Sequence, residues 1–280
     1  MSDEPNGALW SGAEAPPARP LGAADGLRVV LRGLPLGLIT FGSLAVLLLV
    51  RLIERPLCGD ERPVTPYITQ FVCKSAFICL GMRHRTHGRA MQHRGAVVAN
   101  HASWLDIFAL NAPQRVYFVA KAEVAGWPGI GWLARATGTV FIRRDRREAR
   151  AQQAVFEERL KRNHHLLFFP EGTSTDGRRV LPFKPTLFQA FYTHDLPEIL
   201  HIQPVSVVYH APEGEDPRFY GWGGDMSFGG HLLKVLAARR NGAVDIVFHP
   251  PIPVAGAGGR KALSASCERV VRRGLERYLG

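Results

Sequence analysis

The sequence predicts an α/β domain, a mixed and largely parallel sheet flanked by helices, preceded by an N-terminal membrane-associating helical hairpin. Three observations predict it. Short apolar runs recur at 96–99, 116–120, 139–142, 165–169, 202–209 and 244–248, the length of buried strands. Helix-like stretches separate them, clearest at 147–162, where Ala151, Ala154, Val155 and Leu160 lie among charges. Ahead of both stands a charge-free apolar run at 34–50. Strands that alternate with helices imply a sheet covered on both faces, with function at strand ends and loops.

In chain order, residues 1–26 are rich in Ala, Pro and Gly with scattered acids, too little apolar surface to offset ordering entropy, so a disordered tail is expected. Residues 27–90 read as an anchoring segment. A helix over 34–50 covers about 25 Å against a bilayer core of about 30 Å, so it either crosses or dips in and returns. The long, partly acidic region before it and the lack of a small-residue cleavage pattern after it argue against a signal peptide. The competing reading is a buried core helix. After a turn-rich link with Pro56, Gly59, Pro63 and Pro66, residues 67–82 set Ile68, Phe71, Val72, Phe77, Ile78 and Leu80 at helical spacing beside one polar stripe. Basic residues flank both segments and suit the anionic lipids of one leaflet. The expectation is a hairpin that anchors the protein from one side. Arginines at both ends leave its orientation open.

Residues 91–280 carry the α/β pattern. The whole chain of 280 residues is 46% hydrophobic and 21% charged, enough for one sizeable core and too charged for a multispanning membrane protein. Its net charge of +11 suits an anionic partner: nucleic acid, a phosphorylated metabolite or an acidic membrane surface. Cys58, Cys73, Cys79 and Cys267 form no C-x-x-C and no zinc-like cluster, and read as reduced structural thiols in a cytosol-facing protein.

Within that domain VVANHASWLDIF places Asn100 and His101 at a strand end and Asp106 five positions on. Five helical positions differ by about 140°, so the two side chains meet only if His101 lies in the loop before the helix. Ser103, a plausible N-cap for a helix through Leu110, supports that placement. Asp106 then turns back to one imidazole nitrogen and leaves the other as a base. A satisfied loop histidine is the plain alternative. FFPEGTSTDG, residues 168–177, is a strand followed by a glutamate among small residues, where backbone amides can approach an anion. GTVFIRRDRR, residues 138–147, is a strand ending in arginines, a form that commonly marks a solvated face. IQPVSV, residues 202–207, reads as a strand broken by proline.

In this order the segments resemble the glycerolipid acyltransferase family that includes 1-acylglycerol-3-phosphate acyltransferases. The likeness covers roughly 96–209. N-H-x-x-x-x-D falls on His101 and Asp106, G-x-V-x-I-x-R on Gly138 through Arg144, F-P-E-G-T on Phe169 through Thr173, and the proline motif on Pro204. Lys121 and Glu123 form a less distinctive K-x-E. The resemblance implies transfer of an acyl group from a thioester, acyl-CoA or acyl-carrier protein, to a lysolipid hydroxyl, with no cofactor and no metal. His101 is then the general base and Asp106 its orienting partner. Arg144 binds an anionic headgroup, Arg143 and Lys121 assist, and Glu171, Gly172 and Thr173 shape the acceptor pocket. No G-x-S-x-G elbow is present and no acyl-enzyme is required. Oxyanion donors are expected from the glycine-rich loop or the His101 turn.

One departure concerns the acceptor. Members that use lysophosphatidate usually follow F-P-E-G-T with arginine; Ser174 stands there, and F-K-x-G has become Phe183, Lys184, Pro185, Thr186. FPEGTSTDG, PFKPTLF and GWGGDMSF look more like the bacterial acyltransferases that complete ornithine lipids, which places lyso-ornithine lipid slightly ahead of lysophosphatidate. The expected location is the inner membrane, with the catalytic domain on the cytoplasmic side. Competing classes fit less. GIGWLA, residues 129–134, follows a proline rather than a strand, against a nucleotide fingerprint. No zinc pattern, basic heptad helix or RNA-binding aromatic signature supports nucleic acid. No H-E-x-x-H supports a metal. A non-enzymatic membrane-surface protein would keep the hairpin without needing His101 and Asp106.

Overall fold

The computed structural model describes residues 21–143, 149–193, 196–223 and 226–279. Most of the expected tail, 1–20, lies outside these residues, and a helix has already begun at Ala23. The apolar run is the middle of that helix, α1 (Ala23–Cys58), 36 residues and about 54 Å long. Its buried residues include Thr40, Leu47 and Glu54, a seven-residue repeat that forms one narrow stripe. Leu34, Leu38, Phe41, Leu48, Leu49, Leu52 and Ile53 stay exposed, so α1 is not the core helix of the competing reading.

α2 (Thr65–Leu80) returns along α1 and completes the hairpin. The buried Glu54 carboxylate accepts from the backbone N–H groups of Val64 (2.8 Å) and Thr65 (3.2 Å) and from the Thr65 hydroxyl (2.8 Å), so an acid near the end of α1 caps the start of α2. Far up α1, the Arg32 guanidinium donates to the Leu236 and Ala238 carbonyls. α2 itself divides. Cys73, Phe77 and Leu80 join the main core, while Tyr67, Phe71 and Ile78 face outward.

Beyond the hairpin, the strands are β1 (Arg83–His87), β2 (Gly95–Ala99), β3 (Tyr117–Lys121), β4 (Val140–Ile142), β5 (Leu166–Phe168), β6 (His201–His210), β7 (Ala243–Phe248) and β8 (Ile252–Pro253). They form one sheet in the order β1-β7-β6-β2-β5-β3-β4, with β8 beside β6. β6 runs antiparallel to β7 and β8, and every other pairing is parallel. The helices are α3 (Asp106–Asn111), α4 (Ile130–Ala136), α5 (Ala149–Lys161), α6 (Leu196–Ile199), α7 (Phe228–Ala237) and α8 (Arg260–Leu279). Strand side chains alternate between two cores. Val97, Ala99, Leu167, Val205 and Val207 pack with α2, α3 and α7. Ala96, Val98, Leu166, Phe168 and Val208 pack with α5, α6 and α8.

Two elements differ from expectation. β1, RHRTH, lies inside the stretch 27–90 assigned to the anchor, yet it pairs with β7 in the main sheet. It has no apolar residue to reveal it; polar pairing holds it instead. Asp245 on β7, 2% exposed, accepts two hydrogen bonds from Arg85 (2.7 and 2.6 Å) and one each from His87 (2.7 Å) and His210 (2.6 Å). Pro204 does not break its strand either. Within a strand a residue's N–H and C=O point to the same neighbour, and the Pro204 carbonyl accepts from His249 N (3.1 Å). The missing N–H therefore falls in the gap between β7, which pairs from Val205 onward, and β8, which pairs up to Ile202.

Candidate functional site

The site begins where β2 ends. The Asn100 side chain donates to the Val207 carbonyl (2.9 Å) and accepts from the Val207 N–H (2.8 Å), continuing the ladder to β6 for one step beyond the strand. His101 is the first residue released from the sheet. Its ring stacks on Phe169, with centroids 4.0 Å apart and planes 10° from parallel, and its Nδ1 lies 2.6 Å from Asp106 Oδ2. With Nδ1 turned to the carboxylate, Nε2 is the nitrogen left for chemistry.

Asp106 is fully buried. Besides His101, its Oδ2 accepts from the Ala102 and Ser103 N–H groups (2.8 and 3.1 Å), and its Oδ1 accepts from the Tyr209 hydroxyl (2.7 Å). Burial and the neighbouring Asp106 charge push the Tyr209 hydroxyl well above its ordinary value, so it remains a donor. The expected Ser103 cap is not formed. α3 starts at Asp106, whose carboxylate gathers the Ala102 and Ser103 N–H groups and organises the turn that a serine cap would have organised.

β5, paired beside β2, delivers the second part of the site. Glu171, 2% exposed, accepts from the His101 N–H through Oε1 (2.8 Å) and from the Leu181 N–H through Oε2 (2.7 Å). Burial pushes its carboxyl up to about 8, against these two donors. Glu171 therefore braces the backbone of His101 as well as the loop it belongs to. Gly172 holds φ at +74°, and a Cβ there would lie 3.1 Å from the Lys184 ammonium; glycine lets that cation close on the loop. Thr173 is half-buried beside it. The Ser174 hydroxyl, 8% exposed, donates to the Trp222 carbonyl (2.7 Å), so it ties two loops together. The Thr175 N–H and hydroxyl both donate to the His101 carbonyl (2.8 and 3.1 Å).

His101, Asp106, Glu171 and Gly172 thus converge at the carboxyl ends of β2 and β5. Lys121 ends β3 and Arg143 follows β4, both exposed on the same edge of the sheet but displaced along it by one and two strands. Arg144 lies outside the described residues. Sequence reasoning missed Tyr209, Phe169 and the ladder role of Asn100 as parts of the site. Asn100 and Phe169 adjoin motif residues; Tyr209 carries no local signal. Among the described residues no group of three His, Cys, Asp or Glu is placed to hold a metal ion. All four cysteines are free, and burial pushes the Cys267 thiol up to about 12.

A partly exposed imidazole held through Nδ1 by a buried carboxylate is a general-base arrangement. Comparison with known proteins gives it a setting. A family model described as Acyltransferase matches residues 82–208. A lyso-ornithine lipid O-acyltransferase of Rhodobacter capsulatus is 61% identical over 267 residues, 95% of this chain and 97% of that protein. One from Pseudomonas aeruginosa is 34% identical over 89% of this chain and 94% of its own length. A 1-acyl-sn-glycerol-3-phosphate acyltransferase of Neisseria meningitidis is 44% identical over 95 residues, 34% of this chain and 37% of the relative. The crystal structure of the 1-acyl-sn-glycerophosphate acyltransferase PlsC from Thermotoga maritima shares the fold, with a TM-score of 0.58 at 22% identity over 89% of this chain and 98% of its own.

Proposed function

Because the chain belongs to the acyltransferase family, we propose that it moves a fatty acyl group from a thioester donor, acyl-CoA or an acyl-carrier protein, to the hydroxyl of lyso-ornithine lipid. The observation that carries the reaction class to particular atoms is the 2.6 Å contact between His101 Nδ1 and the buried Asp106 carboxylate. In this reading His101 Nε2 takes the proton of the acceptor hydroxyl as its oxygen attacks the thioester carbonyl. The tetrahedral intermediate collapses by expelling the thiolate, and the imidazolium returns the proton to that sulfur. The Asp106 carboxylate, held by donors from Ala102, Ser103 and Tyr209, stabilises the imidazolium.

The N–H groups of His101, Ala102 and Ser103 are already engaged by Glu171 and Asp106. The Gly172 N–H likewise donates to the Phe169 carbonyl (3.0 Å), so oxyanion donors are assigned to the backbone of Thr173 and Ser174. Glu171 acts here as a brace for His101. Lys184, packed against Gly172, supplies a cation for the acceptor's carboxylate, with Arg143 and Lys121 along the same edge; Arg144 is assigned to the headgroup from its motif alone. The hairpin anchors the protein to the inner membrane from the cytoplasmic side, with anionic lipids at its basic flanks.

The acceptor assignment rests on the 61% identity to the Rhodobacter relative across nearly the whole chain, against a match confined to a third of it for the Neisseria enzyme. Purified full-length protein with one acyl thioester should acylate lyso-ornithine lipid with higher kcat/KM than lysophosphatidate. The reverse ranking would move the acceptor to 1-acylglycerol-3-phosphate and leave the reaction class in place.

A further inference from the structure

Two tryptophans outside the hairpin point away from the protein. Trp127 is 41% exposed at the end of the 3-10 helix that follows β3, and Trp132 is 62% exposed in the first turn of α4. Large exposed indoles mark a contact when they adjoin further apolar surface. These do, in two directions. α4 packs against α1, whose outward side chains, Leu38, Leu49 and Leu52 among them, form an uncovered apolar face. Inward, Trp127 meets Trp222 edge-on (6.2 Å), Trp222 meets Phe228 (6.2 Å), and Phe228 meets Trp104 (5.4 Å), three residues after His101.

The inner rings are tied to the catalytic turn. The Trp222 backbone N–H donates to the Ala102 carbonyl (2.8 Å), and Trp104 Nε1 donates to His231 Nδ1 (2.9 Å). Burial brings His231 down to about 4, so its ring stays neutral and keeps accepting near pH 7. The outer rings lie in a loop and helix that begin at the same strand-end edge as His101. Tryptophan is favoured at the headgroup level of a bilayer, where its ring meets both apolar and polar surroundings.

We infer that Trp127 and Trp132 form a second bilayer contact, made by the catalytic domain itself, which opens the His101 edge to lipid arriving from the membrane. The lipid acceptor in this inference rests on the function proposed above; the bilayer contact stands on exposure and on continuity with α1. The test uses full-length protein on vesicles of phosphatidylethanolamine and phosphatidylglycerol with brominated acyl chains, which quench indole emission on contact. Trp127→Phe/Trp132→Phe should remove more than about half of the quenchable emission, as expected if the outer indoles sit at the interface. An unchanged quenched fraction would overturn the contact. So would a change from dimer to monomer in the double variant without quenching in the parent, since the patch would then cover protein.

A second measurement links the contact to turnover. Trp127→Asp/Trp132→Asp should lower kcat/KM at least about fivefold for acceptor embedded in vesicles, from the lost interfacial burial, and less than about twofold for a short-chain acceptor dispersed as monomers. Equal losses on both forms would overturn the role in lipid entry. If the unmodified protein acylated no lysolipid at all, the proposed function would fail while quenching still decided the contact.

Discussion

His101 and Asp106 work as a pair only because one ends a strand and the other starts a helix. His101→Ala should fold, bind membranes and lose at least about 10²-fold in turnover, the range for a general base. Near-normal turnover in a folded variant would remove the proposed base. Asp106→Asn presents an amide N–H₂ where four donors converge, and its loss should equal or fall below that of His101→Ala in the same assay. Tyr209→Phe deletes one of those donors without changing volume, so kcat should fall about tenfold with KM little changed, in line with a hydrogen bond to a charged group. Glu171 gives a pH signature. Its folded value of about 8 stands above the ordinary carboxyl value, so its ionisation costs stability progressively as pH rises from about 4.5 to 8. Chemical denaturation should show the advantage of the unmodified protein over Glu171→Gln shrinking across that window. The pair was legible from its place at a strand end together with the family motif, and Glu171 from the F-P-E-G-T motif alone. Tyr209, 103 positions from Asp106, was not, because its arrival depends on β6 running five residues past its last partner in β2. Ser174 was legible as a departure from the family pattern but not as a tether. Since its hydroxyl holds the Trp222 carbonyl, Ser174→Arg should depress activity on both acceptors in the paired kinetic comparison, instead of shifting preference toward lysophosphatidate.

At the scale of elements, apolar length located the strands and polar pairing concealed one of them. Runs such as 96–99 and 244–248 sit within a residue of the observed β2 and β7, since a strand buried on both faces is mostly apolar, Asp245 being the paired exception in β7. β1 has no such mark and was read as part of the anchor. The distinction changes how the hairpin is tested. Removing everything through Arg85 would take three residues of β1 out of the sheet and strip Cys73, Phe77 and Leu80 from the core they help to close. Substitution on the outward face of α1 leaves those contacts intact. Leu38→Glu/Leu49→Glu/Leu52→Glu changes three side chains that are 66%, 63% and 73% exposed. Each costs nothing in core packing but places a charge where lipid is expected, about 3 kcal/mol at the centre of a membrane and less near its surface. The triple variant should move largely from the membrane pellet to the supernatant on ultracentrifugation with its thermal unfolding unchanged. Retention in the pellet would mean that α1 does not supply the anchor.

For the whole molecule, the sequence disclosed the layers of the fold but not the strand order, because nothing in an apolar run states its neighbour. The placement of β7 between β1 and β6 follows from the Asp245 cluster and the antiparallel turn back from β6, both of which need residues far apart in the chain. Charge is the other global property. A net charge of +11 acts over the Debye length, about 8 Å at physiological salt, whereas the exposed leucines of α1 act only on contact. The two contributions separate by salt. On vesicles rich in phosphatidylglycerol, raising salt from about 0.05 to 0.5 M should weaken binding severalfold, because a basic residue near an anionic surface contributes about 1 kcal/mol that screening removes. On zwitterionic phosphatidylcholine vesicles binding should be weaker at low salt and nearly independent of it, since only apolar insertion remains. Flotation assays across both series read the two slopes directly. Complete release from both vesicle types at high salt would make the attachment purely electrostatic, and the exposed face of α1 would then need another partner.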